Sequence, residues 1–180
     1  QHWKLPLPDE TLGKEHNAMR TNSYVTEGSC TCGHVRYQVV EDPLIVHGCH
    51  CRGCQKNSGS AFAINALYEA DRVRLIEGTV EETSVPTPSG TGQDITRCKK
   101  CKVAIWSNYN MGGLRKHIRF VRVGTLDDPD QFPPDVHIYT SSKQPWVTLP
   151  ENDLRVERFY ECRTTWSPAS LNRLSQIEEY

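Results

Sequence analysis

The stretch His47-Gly-Cys-His-Cys-Arg-Gly-Cys-Gln-Lys-Asn-Ser-Gly-Ser-Ala-Phe62 crowds the thiols of Cys49, Cys51 and Cys54 into six residues. Neighbours spaced C-x-C-x-x-C face one another across a tight turn. There they can converge on one ion but can hardly all find acceptable disulfide partners. A metal site is therefore the first reading. The same run would also suit a structural zinc knuckle completed by a residue elsewhere, so the remaining cysteines have to be weighed with it.

Seven of the eight cysteines fall into three clusters, Cys30/Cys32, Cys49/Cys51/Cys54 and Cys98/Cys101, and only Cys162 stands apart. Clustering of this kind favours metal over a disulfide framework, and Cys162 reads as an ordinary thiol. Cys30, Cys32, Cys98 and Cys101 form a C-x-C plus C-x-x-C set far apart in the chain, as expected if one tetrahedral ion staples two strands together. That site would be closed and structural. Cys49, Cys51 and Cys54 are then left with an open coordination position, the feature that separates catalytic from structural zinc. Three thiolates around zinc carry a net charge of about −1, which makes a poor activator of water and a good holder of one more soft sulfur. A substrate thiol held there would stay ionised near neutral pH, whereas an unbound thiol, with pKa about 8.5, is mostly protonated.

The rest of the chain supplies the frame. At 180 residues, with 37% hydrophobic residues, it is long enough to bury a core of its own. Apolar runs such as Leu44-Ile45-Val46 are far too short to span a bilayer. The absence of a leader pattern points to a cytoplasmic protein, with a nuclear location the alternative. Residues 1–22 read as a polar extension, residues 23–162 as the zinc-binding β domain and residues 163–180 as a tail. Within the domain, Gly28 to Val39 reads as a strand carrying two ligands at its start, with Val35, Tyr37 and Val39 on one face. Leu44–Val46, Ala61–Tyr68, Val103–Trp106, His117–Val123 and Val136–Thr140 read as further β-prone or packed segments. The turn at Glu77-Gly78 predicts a hairpin joining the Val73–Ile76 strand to the Thr79–Val85 strand. Pro86 to Gly92 is a breaker-rich loop. Ser167-Pro168, followed by Leu171, Leu174 and Ile177, predicts a short C-terminal helix with Ser167 as its cap. The sum is a mainly β, mostly antiparallel domain.

Three motifs in order, Gly28-x-Cys30-x-Cys32-Gly33-x-Val35, Cys49-His-Cys51-x-x-Cys54-Gln-Lys-x-Ser58-Gly59 and Cys98-x-x-Cys101, resemble those of the glutathione-dependent formaldehyde-activating family, which includes centromere-protein relatives. His137-Ile, Lys143 and Pro145-Trp146 are similar too. The resemblance covers about residues 24 to 160. It implies tent-like β-sheets and two zinc ions per chain, a structural one on Cys30, Cys32, Cys98 and Cys101 and a catalytic one on Cys49, Cys51 and Cys54. It also implies carbon–sulfur lyase chemistry, the reversible joining of glutathione and formaldehyde into S-hydroxymethylglutathione. One departure stands out: the family has an aromatic before its third pair and Gly after it, where this chain has Arg97 and Lys102. Lysine adopts positive φ only at a cost, so the knuckle is expected to turn differently or to hold its ion less firmly.

No Asp or Glu occurs from Leu44 to Tyr68, while His50, Arg52 and Lys56 can carry positive charge. An anionic thiol such as glutathione suits that segment, with Arg52 or Lys56 near a carboxylate, Ser58 offering a hydroxyl and His50 a candidate proton shuttle. The same residues would also serve as a plain solvated face. Arg97, Lys99, Lys100 and Lys102 do not by themselves make a nucleic-acid site. The leading expectation is thus a zinc-dependent lyase acting on an adduct of a thiol and an electrophilic carbon. A noncatalytic zinc-braced interaction module and a biosynthetic lyase with a substrate other than formaldehyde are the alternatives.

Overall fold

The structure is a computed structural model that describes residues 24–178; the reading of residues 1–22 as an extension lies outside them. Two sheets make the fold. In the smaller, β1 (Val25–Ser29) pairs antiparallel with β2 (Arg36–Val40), and β2 with β5 (Val73–Glu77). The larger contains β3 (Ile45–Cys49), β4 (Ala63–Glu69), β6 (Val80–Val85), β7 (Gln93–Cys98), β8 (Ala104–Tyr109), β9 (Ile118–Arg122) and β10 (Val136–Ile138). Its strand order is β10-β3-β4-β9-β8-β7-β6. Every pair in it is antiparallel except β10 with β3, where Val136 lies opposite His47 and Ile138 opposite Cys49 in parallel register.

Side-chain alternation explains how the large sheet holds two cores. One face sends Val46, Ala66, Tyr68, Trp106 and Val121 toward Val35, Tyr37 and Val39 of the small sheet. The other sends Ile45, Leu67, Ile118, Phe120 and Ile138 toward Trp166 and Leu174 of the C-terminal segment. With both faces covered, β3 is buried at every position and β4 at all but Ile64, so neither shows the half-polar alternation of a solvent-facing strand.

Three elements differ from the sequence reading. The Gly28–Val39 strand is two strands, and Cys30 and Cys32 sit in the connection between them, where Gly33 turns the chain with φ +71°. The predicted hairpin across Glu77-Gly78 is absent. β5 pairs with β2 while β6 pairs with β7, so the chain passes from one sheet to the other at Gly78. A Cβ at Gly78 would fall 1.9 Å from the His34 carbonyl oxygen, and the residue's φ is +88°. Its glycine thus serves a close crossing rather than a two-residue turn. Finally, the cysteine-rich stretch contains a helix, α1 (Arg52–Ser58), that its spacing did not announce.

After a single turn, α2 (Cys162–Thr165), the chain forms α3 (Pro168–Glu178) as expected. Ser167 Oγ accepts the Ser170 N–H at 3.1 Å, capping α3. Docking comes from Leu174 and from Arg173, whose Nε donates to Glu69 Oε1 at 2.7 Å and whose Nη1 donates to the Asp42 carbonyl at 2.8 Å. Burial raises the Glu69 pKa, and the hydrogen bonds and charge of Arg173, with a backbone hydrogen bond and the charge of Arg72, more than offset that, leaving it below its ordinary value of 4.5. The pair's contribution is therefore fully present above that ordinary value and lost as pH falls through the lower folded-state value. Arg173→Ala leaves the buried Glu69 carboxylate with Arg72 Nε, 3.3 Å away, as its remaining cation, and should cost about 2 kcal/mol, read as a lower urea midpoint. Glu69→Gln with Arg173→Ala should cost less than Arg173→Ala alone and flatten the acid limb of the stability profile.

Candidate metal centres and the adjoining cavity

The two cysteine sets are built by different means. Cys30 and Cys32 come from the β1–β2 connection, Cys98 from the end of β7 and Cys101 from the turn into β8. Their four Sγ atoms lie within 4.8 Å of one another. Cys30 Sγ is 3.5 Å from Cys32 Sγ, and Cys32 Sγ is 3.9 Å from Cys98 Sγ, across 66 residues of chain. This set spans the two sheets. Lys102 keeps the knuckle's left-handed turn, with φ +64° and its N–H donating to the Cys98 carbonyl at 2.9 Å. The expected different turn is therefore not what the structure has. Arg97 donates to the Lys102 carbonyl at 3.1 Å, and Lys102 Nζ meets Glu81 at 2.8 Å. The backbone strain of lysine, about 1 kcal/mol, is held locally by those contacts.

The second set is a loop-and-helix device. Cys49 ends β3, Cys51 is the N-cap of α1 and Cys54 lies inside it, again with Sγ atoms within 4.8 Å. Cys51 Sγ accepts the Cys54 N–H at 3.3 Å, a thiol doing what serine does at most caps. Gly59, with φ +68°, ends the helix. Gln55 fastens it from beneath, donating to the carbonyls of His50 at 2.7 Å and Ser142 at 3.0 Å. Hydrogen bonds from Cys49 and Cys54 hold the Cys51 thiol far below its ordinary pKa, and the one to Cys51 drives Cys49 far above it. Cys54 is lowered by Cys49 but raised by Cys51 and by burial, to about 11, with the positive charge of Arg122 acting in its thiolate's favour. Among the described residues no fourth His, Cys, Asp or Glu joins this set. Both groups could hold a metal ion, four soft donors in one and three in the other.

The three-thiol set opens into a cavity of about 170 Å³. Tyr109, Phe120, Tyr139 and Phe159 wall it, Pro86 to Ser89 cover one side, and Asn57, Asn65 and Gln93 supply amides. His47 also faces it, fully buried and kept neutral by that burial, which lowers its pKa to about 3. Tyr160 accepts from Trp166 Nε1 at 2.8 Å, which leaves its own O–H to donate to His47 Nε2. Tyr139 has φ +57° and is held by its N–H to the Arg158 carbonyl at 2.8 Å. Strain of that kind collects at sites where a side chain has to be aimed.

Of the residues proposed for substrate contact, Arg52, Lys56 and Ser58 are exposed on α1, and neither they nor His50 lines the cavity. Arg52 donates to Gln55 Oε1 at 2.8 Å, and Ser58 donates to the Cys54 carbonyl at 2.8 Å. His50 is fully buried against Phe62, its Nε2 3.0 Å from His137 Nδ1, while His137 Nε2 lies 3.3 Å from Asp153. With His137 donating to the carboxylate, His50 must donate to His137. That leaves His50 Nδ1 as a buried acceptor without a partner. Sequence reasoning missed Tyr109, Tyr139, Phe159 and Arg122. They converge from distant strands and loops, and no local spacing signals that.

The fold and these two thiol groups define a class: a mainly β protein with one cysteine set that could hold a metal ion between its sheets and a second opening on a cavity. The chain belongs to the glutathione-dependent formaldehyde-activating enzyme family, whose sequence profile matches residues 25–142. It is 29% identical over 130 residues, 68% of this chain and 80% of the relative, to a Halomonas elongata protein provisionally named glutathione-dependent formaldehyde-activating enzyme. A crystal structure of a Rhodobacter sphaeroides protein shows a partial likeness, with 21% identity and a TM-score of 0.44 over 58% of this chain and 93% of its own. None of the described helices is long and apolar enough to cross a membrane.

Gly48, between His47 and Cys49, lets the His137 ring pass: a Cβ there would lie 2.5 Å from His137 Nδ1. Gly48→Ala should push that ring aside, break the His50–His137 hydrogen bond and cost about 1–3 kcal/mol. Denaturant titration and the imidazole NMR signals of the two histidines check both effects.

Proposed function

We propose that the protein is a zinc-dependent carbon–sulfur lyase that makes or breaks the bond between a glutathione sulfur and a carbonyl carbon. The observation that carries the reading is the Cys49/Cys51/Cys54 set, three soft donors without a described fourth, at the edge of a cavity. Family membership supports the thiol as glutathione, and the name of the Halomonas relative supports formaldehyde as a carbon partner. Cys30, Cys32, Cys98 and Cys101 would hold one zinc ion structurally. Cys49, Cys51 and Cys54 would hold another, which when bound supplies the charge that keeps a substrate sulfur ionised.

The chain's own groups handle the rest. Arg122 adds positive charge beside Cys54 while its guanidinium holds Asn65. Adding a thiolate to a carbonyl places negative charge on the oxygen, which calls for a donor that is protonated at neutral pH. Tyr139 meets that need: burial, then the neighbouring Tyr109 and thiols, raise its pKa, so it remains a phenol. We assign it to the oxygen. Arg52 and Lys56, exposed on α1, are suited to the tripeptide's carboxylates. His50, buried against His137, is assigned to positioning the cysteine loop.

Two experiments test this. Tyr139→Phe should lower turnover of S-hydroxymethylglutathione by about 100-fold while leaving glutathione binding within about twofold; unchanged turnover would remove Tyr139 from the chemistry. Cys98→Ser should yield unfolded or insoluble protein, since a structural zinc can contribute about 10–16 kcal/mol in peptides against a domain stability of about 5–15 kcal/mol. Cys54→Ser should stay folded, bind about one ion fewer and lose turnover. A folded, active Cys98→Ser protein beside an unfolded Cys54→Ser protein would reverse the two assignments.

A further inference from the structure

The cavity beside the three thiols is too apolar for glutathione and too large for formaldehyde. Glutathione carries two carboxylates and an ammonium group, and burying such ions without partners is costly. No Lys, Arg, Asp or Glu lines the cavity. The charged tripeptide therefore belongs outside the cavity, with Arg52 and Lys56, exposed on α1, as its candidate partners, and the cavity falls to whatever carbon group the sulfur bears. A single carbon and oxygen would leave its rings uncovered. Those rings form a continuous belt. Tyr109 meets Phe120 edge to face at 6.4 Å and 85°, Phe120 lies 6.5 Å from His47, His47 meets Phe159 at 5.9 Å and 86°, and Phe159 lies 6.4 Å from Tyr139. Edge-to-face belts of this kind favour a further aromatic ring, which can stack on one wall and meet the edge of the next. Phe159 is braced for this role, one face stacked on Tyr160 at 4.7 Å and 11°, and it lines the cavity. The few polar groups, the amides of Asn57 and Gln93 among them, are enough to orient a substituent without solvating an ion.

We propose that the carbon partner is a planar aromatic carbonyl compound, an aryl aldehyde in its simplest form, with its ring inside this belt and its carbonyl carbon at the sulfur. The proposal rests on the lyase reading above and names its substrate class. The step balances without an oxidant or reductant. The thiolate sulfur forms a bond to the carbonyl carbon, the π pair moves to oxygen, and the oxygen takes a proton, giving a hemithioacetal; the reverse returns thiol and aldehyde.

The test has a binding arm and a turnover arm, both on the full-length zinc-loaded protein. By calorimetry, S-(2-naphthylmethyl)glutathione should bind about tenfold tighter than S-methylglutathione. Phe159→Ala and Tyr109→Leu, which each remove one ring of the belt, should each reduce that ratio several-fold. Equal affinities, or binding by neither conjugate, would overturn the proposal. In the turnover arm, kcat/KM for glutathione with 2-naphthaldehyde should exceed that with formaldehyde by about tenfold or more, and the reverse order would also overturn it. Tight binding of the naphthyl conjugate with no turnover of either aldehyde would sink the lyase reading instead, while supporting an aryl-binding cavity.

Discussion

Seven thiol sulfurs gathered into two groups, each within 4.8 Å, impose a condition that the rest of the structure depends on. Two thiolates about 4 Å apart repel by about 4 kcal/mol at the effective dielectric of a protein near its surface. Three pairs in one group and six in the other cannot all ionise together without a compensating cation. Without one, the protons stay and the thiols share them, as the opposed shifts of Cys51 and Cys49 illustrate. With one, each group becomes a fixed point: one pins the small sheet to the large, the other pins α1 to the end of β3.

The same condition divides the labour. The four-thiol group uses all its donors on one ion and sits between sheets that share a core, so its ion would act on stability. The three-thiol group lies on a loop and a two-turn helix beside a cavity, so its ion would act on a ligand. Between them, Gln55, His50 and His137 tie the loop to β10 and to Ser142, which keeps the cysteines aimed at the cavity by contacts that touch no substrate.

Cysteine spacing revealed the sets because a ligand group is short-range in one case and a pair of short motifs in the other. β2, β8 and β9 were also legible, as was α3 with its Ser167 cap. What escaped was whatever depends on the far side of the molecule. β4 is covered on both faces and so lacks a solvent-facing pattern, and Gly78 looks like a hairpin turn until His34 is seen against it. The cavity's walls come from Pro86 to Ser89, Tyr109, Phe120, Tyr139 and Phe159, up to 110 residues from Cys49 in the chain. The basic residues flanking the cysteines drew attention because they are adjacent in sequence, yet the helix turns Arg52 and Lys56 outward.

Direct coordination of substrate sulfur by the three-thiol centre is the account's central claim, and cobalt-substituted protein reports on it. Glutathione should shift the cobalt absorption bands and protect Cys49, Cys51 and Cys54 from alkylation, while S-methylglutathione, which offers no thiolate, should leave the bands in place. The same spectral change with both compounds would contradict the account.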